Sequence, residues 1–134
     1  MTERSQGETF QWPLRVYFED TDAGGIVYHA RYLYFLERAR TEWLRNLGFN
    51  QSELQKQQTV FVVRDMNIKW IDPARLDDEL IVHVRIEKIK KASLIMHQSI
   101  VCGDVKKLSA QVTIACLNSE TMKPDAIPAC INIR

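Results

Sequence analysis

The sequence predicts an α+β domain in which one long helix lies on a curved antiparallel sheet. Two hydrophobic patterns predict this arrangement. Between residues 28 and 47 the apolar side chains recur at spacings of three and four, which is typical of a helix with one buried face. From residue 59 to residue 117 they mostly alternate with polar side chains, which is typical of strands with one buried face. We expect residues 10–134 to form a single domain, preceded by a flexible extension of residues 1–9.

The amino-terminal part of the domain is predicted to be a strand, a turn and the long helix. Residues 10–19 carry apolar side chains at every second position, which indicates a strand. Residues 20–25 read Asp-Thr-Asp-Ala-Gly-Gly, a composition typical of a turn. The helical spacing then begins at Tyr28 or His29 and continues to Leu47.

Four further strands are predicted after the helix, which gives a sheet of about five strands. Residues 72–78 form a loop between the first two of these strands, and residues 103–104 form a tight turn between the last two. Ile81 and Gln98 break the alternation of apolar and polar positions in their strands, and Trp70 lies at an apolar position that predicts a core residue. Because the links are short, we expect neighbouring strands to pair antiparallel.

Composition and charge exclude several classes of protein. The 18 Lys and Arg residues nearly balance the 17 Asp and Glu residues, so the net charge of +1 argues against a uniformly basic nucleic-acid-binding protein. The longest uninterrupted apolar run has five residues, far fewer than the approximately 20 that a membrane-spanning helix needs. The amino terminus lacks the apolar region of a signal peptide. The odd number of cysteines predicts reduced thiols in a cytoplasmic protein.

Sequence motifs for cofactors and metals are missing as well. The chain has no Walker A motif, no dinucleotide-binding glycine pattern and no zinc-ligand spacing between its histidines and cysteines. We therefore expect no metal and no cofactor.

One segment, Asp20 to His29, combines groups that suit acyl transfer or hydrolysis. A carboxylate such as that of Asp22 can attack a carbonyl carbon or activate water. Two glycines follow and allow a substrate to approach the backbone closely. The start of the long helix exposes unpaired N–H groups, which suit a carbonyl oxygen that gains negative charge. From composition alone, a charged turn with a glycine hinge explains the segment as well.

Residues 17–40 resemble the signature of the hotdog-fold acyl-CoA thioesterases. The resemblance is more specific to the Tol-Pal-associated subfamily of the 4-hydroxybenzoyl-CoA thioesterase group. Residues 61–64, 73–78 and 122–124 also match the pattern of this subfamily, and the match covers about residues 10–130. The resemblance implies an antiparallel sheet wrapped around one central helix, in agreement with the order of predicted elements.

The resemblance also implies roles for individual residues. Asp22 is the catalytic carboxylate, as nucleophile or general base. The backbone N–H near His29 polarises the thioester carbonyl, and the His29 side chain orients the substrate or assists the acid. Four neighbouring residues are implied as substrate contacts: Tyr17, Asp20, Gly25 and Tyr28. For Asp20, a structural role in capping its own turn explains the sequence equally well.

A second group of residues is implied to bind coenzyme A. Lys90 and Lys91 lie between two predicted strands, where the family places basic residues against the phosphates of coenzyme A. Ser93 follows at the mouth of the next strand, within reach of the pantetheine. Arg64 follows an apolar stretch and is expected near a subunit interface. A solvated turn is the alternative for the two lysines, and an ion pair with a carboxylate is the alternative for Arg64.

The function implied is hydrolysis of an acyl-CoA thioester to a free acid and coenzyme A. Family members form active sites between subunits, so the resemblance implies a homodimer at minimum and a homotetramer in many members. Two alternatives stay open. A hotdog hydratase or dehydratase would act on enoyl or β-hydroxyacyl thioesters. A scaffold protein would bind acyl carrier protein or enzymes of phospholipid synthesis and would retain weak thioesterase activity.

Overall fold

The computed structural model describes residues 9–49 and 51–132, which form a five-stranded antiparallel sheet against one long helix. The strands are β1 (Thr9–Arg15), β2 (Thr59–Trp70), β3 (Glu79–Ile89), β4 (Ser93–Cys102) and β5 (Val105–Asn118), and the helices are α1 (Arg31–Asn46), α2 (Gln51–Lys56) and α3 (Ala129–Asn132). The spatial order of the strands is β1-β3-β4-β5-β2. The predicted hotdog architecture is confirmed. Of the expected flexible extension, residues 1–8 lie outside the described residues, and Thr9 belongs to β1.

Two element boundaries before the long helix differ from the prediction. The first strand ends at Arg15, and residues 18–20 form a single turn of 3-10 helix because Tyr17 N–H donates to the Asp20 side chain at 2.9 Å. Helix α1 begins at Arg31, later than the predicted Tyr28 or His29. The backbone N–H of Tyr28 donates to the Asp20 carbonyl at 3.0 Å, which holds the preceding segment outside the helical path.

Helix α1 packs its apolar face against the inner face of the sheet, on the side of β1 and β3. Its buried side chains are those of Tyr32, Phe35, Leu36, Ala39, Trp43 and Leu44. On the sheet, the residues of β3, β4 and β5 that share one parity are buried beneath them, including Val82, Met96, Leu108 and Val112. Each large side chain of this core contributes about 1.5–3 kcal/mol by leaving water. The apolar positions of the alternating pattern therefore correspond to the inner face of the sheet.

Gln98, which breaks the alternation in β4, is fully buried on the inner face of the sheet. Its amide donates to the carbonyl oxygen of Leu36 at 3.0 Å and accepts from Nη1 of Arg40 at 2.9 Å. Burial lowers the pKa of the Arg40 guanidinium. The polar exception is thus a hydrogen-bonded link between the sheet and α1.

The cysteines agree with the expectation of reduced thiols where the structure describes their side chains. Cys102 and Cys116 are free. Cys102 lies opposite Val105 beside the β4–β5 turn, whereas Cys116 lies near the far end of β5. Burial raises the pKa of the Cys116 thiol to about 11. The side chain of Cys130 lies outside the described part of the chain. Within residues 9–49 and 51–132, no helix has the length and hydrophobicity needed to span a membrane.

Candidate active site

The segment with two carboxylates and two glycines forms a tight loop that returns on itself before α1. Thr21 pairs with Val27 in an antiparallel bridge. Inside this bridge, Asp22 N–H donates to the Ile26 carbonyl at 2.9 Å, and Gly25 N–H donates to the Asp22 carbonyl at 3.0 Å. Gly25 has a φ of +81°, a left-handed conformation that glycine adopts without strain. The second glycine of the pair is therefore explained by the turn geometry.

The carboxylate of Asp22 lies exposed at the tip of this loop. One of its oxygens, Oδ1, accepts the Gly24 N–H at 2.8 Å, which orients the side chain over its own turn. The other oxygen has no hydrogen-bond partner among residues 9–49 and 51–132, and no cation of these residues forms an ion pair with Asp22. The carboxylate is thus held in one orientation and has one oxygen free to act on a substrate.

Asp20 is buried and hydrogen-bonded, whereas Asp22 is exposed. The side chain of Asp20 is buried, with Oδ1 accepting Nε of Arg31 at 2.7 Å and Oδ2 accepting the Tyr17 N–H at 2.9 Å. The hydrogen bond to Asp20 raises the pKa of Arg31. Together with the bond from Tyr28 N–H, these contacts tie the loop to the first residue of α1. The structure therefore supports the capping role for Asp20 that the sequence left open.

The start of α1 has donors without partners. Arg31 N–H donates to the Tyr28 carbonyl at 2.8 Å, while the N–H groups of His29 and Ala30 donate to no acceptor in the described chain. The capping residue Ala30 offers no side-chain oxygen, and the first turn of α1 contains no acidic residue. Free N–H groups at the positive end of a helix dipole are suited to a developing oxyanion.

The loop of residues 72–78 supports the start of α1 from the other side. Val27 N–H donates to the Ala74 carbonyl at 2.9 Å, and Ala74 N–H donates to the hydroxyl of Tyr32 at 3.0 Å. Burial raises the pKa of this tyrosine. The helix start is therefore anchored through Asp20 on one side and through Ala74 on the other.

The ring of His29 lies between two aromatic residues. Its centroid is 4.7 Å from that of Tyr28 and 6.2 Å, edge-on, from that of Trp70. Tyr28 and Trp70 are each 50% exposed, and Tyr17 on the other side of the loop is 62% exposed. Trp70 was predicted as a core residue from its apolar parity, and this prediction is wrong. It is the last residue of the edge strand β2, and no other strand or helix among residues 9–49 and 51–132 covers it.

The residues implied to bind coenzyme A form a separate group. Arg64 and Ser93 line a cleft of about 480 Å³ together with Ala92 and Pro124. Lys90 and Lys91 are exposed in the turn between β3 and β4. The Lys90 N–H donates to the Ser93 carbonyl at 2.8 Å, so the turn and the cleft are neighbours.

Within one chain, no described hydrogen bond or ion pair links this group to the Asp22 loop. The described residues also hold no group of three or more His, Cys, Asp or Glu side chains placed to bind a metal.

A second cleft, of about 470 Å³, opens between α1 and the start of β2. Most of its lining is apolar, with Trp43, Leu44 and Phe61 among the larger side chains. Two charged residues of α1, Glu37 and Arg40, share its wall. Sequence reasoning did not single out these two residues, because helical spacing places them beside the apolar stripe.

Comparison with known proteins identifies the family. Residues 16–132 match the model of the thioesterase-like superfamily. The chain belongs to this superfamily. It is 47% identical over 123 residues to the acyl-CoA thioester hydrolase YbgC of Escherichia coli, with 91% of this chain and 92% of the relative covered. It is 47% identical over 120 residues to the acyl-CoA thioesterase YbgC of Haemophilus influenzae, with 89% and 88% covered.

Solved structures agree with this assignment. The crystal structure of a probable thioesterase from Bartonella henselae has a TM-score of 0.86 and 41% identity, and the match covers 90% of this chain and 100% of that protein. At 21% identity, a 1,4-dihydroxy-2-naphthoyl-CoA thioesterase from Synechocystis also has a TM-score of 0.86, with 93% of each chain covered, and shares the fold. The predicted membership in a thioesterase family and the prediction of an enzyme are confirmed.

Proposed function

We propose that this protein hydrolyses acyl-CoA thioesters and that Asp22 is the catalytic carboxylate. The observation that carries this proposal is the pairing of an exposed, oriented carboxylate with a helix start whose N–H groups are free. In a family of thioesterases, these two features supply a base or nucleophile and an oxyanion site on one short segment. The names of the relatives support acyl-CoA as the substrate class.

Two routes of hydrolysis fit the geometry, and both begin with the same hydrogen bond to the thioester carbonyl oxygen. The N–H of His29 donates to the thioester carbonyl oxygen and stabilises the negative charge that develops there. In the first route, Asp22 removes a proton from water, and the resulting hydroxide attacks the carbonyl carbon. In the second, an oxygen of Asp22 attacks directly and forms an anhydride, which water then hydrolyses. In both, the carbon–sulfur bond breaks and coenzyme A leaves as a thiolate that takes up a proton.

The His29 side chain is proposed to orient the substrate. Its contacts with Tyr28 and Trp70 hold the ring beside the free N–H groups. In the proposed complex the ring orients the acyl group or the thioester sulfur. Tyr17, Gly25 and Tyr28 are proposed to contact the substrate around the Asp22 loop, and Asp20 is proposed to support that loop from beneath.

The proposed active unit is a homodimer at minimum. The loop of Asp22 and the cleft of Arg64 and Ser93 are separate groups in one chain, and a second subunit is proposed to bring the two groups to one substrate. Coenzyme A is the proposed carrier, with the acyl carrier protein as a further partner. We place the protein in the cytoplasm as part of the same proposal.

Thiol release from a panel of thioesters tests the proposed function. The panel runs from short acyl-CoA through aromatic acyl-CoA to palmitoyl-CoA and an acyl-carrier-protein thioester. We expect turnover of at least one member without added metal. Crotonyl-CoA is tested separately by following the loss of its double bond, and hydration there without thiol release from any panel member would replace the proposal with a hydratase. Capture of acyl carrier protein without turnover of any member would favour the scaffold function.

The two lysines offer a matched test of coenzyme A binding. Replacing Lys90 and Lys91 together with alanine removes two exposed positive charges without touching the core. We expect the KM for acyl-CoA to rise about 5- to 20-fold with little change in kcat, because phosphate contacts bind substrate and transition state alike. Steady-state kinetics at 50 and 300 mM salt measure this effect. Lys56→Ala, at the exposed end of α2, is the control. An unchanged KM in the double variant would contradict the assignment.

A further inference from the structure

One buried residue, Ala74, contacts the chain on both sides of the free N–H groups at the start of α1. Its carbonyl accepts the Val27 N–H at 2.9 Å, two residues before His29. Its N–H donates to the Tyr32 hydroxyl at 3.0 Å, two residues after Ala30. Ala74 is fully buried and Tyr32 is 3% exposed. The position of Ala74 therefore helps to fix both ends of the segment that carries the proposed oxyanion donors.

The loop that carries Ala74 is in turn held by Lys107 of β5. The ammonium group of Lys107 forms an ion pair with Asp72 and donates to the Pro73 carbonyl at 3.1 Å. The backbone carbonyl of Lys107 accepts the N–H groups of Ile71 and Asp72 at 2.9 and 3.2 Å. The side chain of this lysine is only 11% exposed. Four contacts from one residue thus fix the chain immediately before Ala74.

The hydroxyl of Tyr32 contributes a contact that the ring alone does not supply. The ring packs edge-on against Phe35, with centroids 5.9 Å apart, and a phenylalanine would retain this contact. The Ala74 N–H, however, donates to no second acceptor among residues 9–49 and 51–132. Removing the hydroxyl therefore leaves a buried donor unpaired and frees Ala74 to shift.

We propose that Tyr32 and Lys107 are positioning residues for the hydrolysis, which act through Ala74 to hold the N–H groups of His29 and Ala30 toward the thioester carbonyl oxygen. This inference rests on the proposed function and extends it to side chains outside the Asp22 loop. A displacement of about 1 Å can lower a rate about 100-fold. Because the donors bind most strongly when the oxygen becomes negative, their misplacement lowers kcat more than it weakens substrate binding.

Tyr32→Phe tests the role of the hydroxyl, with Tyr34→Phe as the matched control. Tyr34 is 50% exposed on α1, and Arg31 lies over its ring, so the same chemical change there removes no buried contact. We expect kcat for thiol release to fall about 10- to 100-fold in Tyr32→Phe, with KM within about 2-fold of wild type. The control should keep both values. A wild-type kcat per folded molecule in Tyr32→Phe would show a merely structural role and overturn the proposal.

A double-mutant cycle with Lys107→Met tests whether the two side chains act through the same residue. We expect Lys107→Met to lower kcat about 10-fold or more, whereas the exposed neighbour Lys106→Met should leave kcat unchanged. Adding Tyr32→Phe to Lys107→Met should lower kcat by less than about 3-fold further, because the support of Ala74 is already lost. Two losses that simply multiply would contradict a shared role. If circular dichroism shows that Lys107→Met is unfolded, the comparison of Tyr32→Phe with Tyr34→Phe decides the proposal.

Hydrogen exchange without substrate separates this inference from the proposed function. We expect the Val27 N–H to exchange at least about 10-fold faster in Tyr32→Phe than in wild type, because its acceptor on Ala74 is less well held. The amide of Met96, in the central strand β4, should keep its wild-type rate. Absence of thiol release in wild type would refute the proposed function. Normal thiol release together with unchanged exchange of Val27 in Tyr32→Phe would refute the positioning role alone.

Discussion

Replacing Asp22 with asparagine should lower kcat for thiol release at least about 1,000-fold and leave the fold intact. The amide cannot take a proton from water and is a poor nucleophile. Its oxygen can still accept the Gly24 N–H that orients the native side chain. Because Asp22 is exposed and forms no described ion pair, the change removes no buried contact. Thiol release with the best thioester of the panel, beside a urea unfolding curve, measures both parts of this prediction.

Asp104→Asn provides the control for this substitution. Asp104 is also an exposed acid beside a glycine, in the turn between β4 and β5. The same chemical change there should alter neither kcat nor the unfolding midpoint. Full activity of a folded Asp22→Asn protein would exclude Asp22 as base and as nucleophile. A lowered unfolding midpoint in that variant would instead indicate that the carboxylate supports the loop.

Replacing Asp20 with alanine should reduce both stability and activity. Asp20 is 5% exposed, and its carboxylate accepts hydrogen bonds from Arg31 and from the Tyr17 N–H. Without it the Tyr17 N–H is left without its acceptor, and the anchor between the loop and α1 is lost. We expect the free energy of unfolding to fall by about 2 kcal/mol, the usual cost of removing a buried acceptor. We expect kcat to fall as well, because the loop that carries Asp22 loses its support.

Glu19→Ala separates this effect from simple loss of an acid beside Arg31. Glu19 lies 3.5 Å from Arg31, but its side chain is 71% exposed. Exposed ion pairs contribute little, so this variant should unfold within about 0.5 kcal/mol of wild type. Equal destabilisation by the two alanine variants would show that net charge, and not the buried geometry of Asp20, stabilises the loop.

The two aspartates show where prediction from the sequence reached its limit. They lie two residues apart in a polar turn, and composition does not distinguish a buried acid from an exposed one. The resemblance to a family singled out Asp22, but a capping role and a binding role for Asp20 stayed equally open. The tertiary structure distinguishes the two aspartates. Arg31, at the start of α1, donates a hydrogen bond to Asp20 and not to Asp22.

The sequence by itself determined the elements and the family. Periods of two and of three to four predict the type of each element and which of its faces is apolar, because this periodicity is a local property of the sequence. Residues 17–40 carry the thioesterase signature within one continuous segment, so they were recognisable without coordinates. The late start of α1 was not predictable, since it depends on a bond from Tyr28 N–H to the Asp20 carbonyl.

Only the tertiary structure decided which side chains meet across elements. In the sequence, Gln98 is a polar residue at an apolar position of its strand. In the structure, its hydrogen bonds to Arg40 and to the Leu36 carbonyl explain why a polar side chain is buried there. Trp70 has the parity of a core residue, yet it lies at the end of an edge strand against His29. The physical reason is the same in both cases. Parity determines which face of the sheet a side chain occupies, whereas strand order and helix placement determine what covers that face.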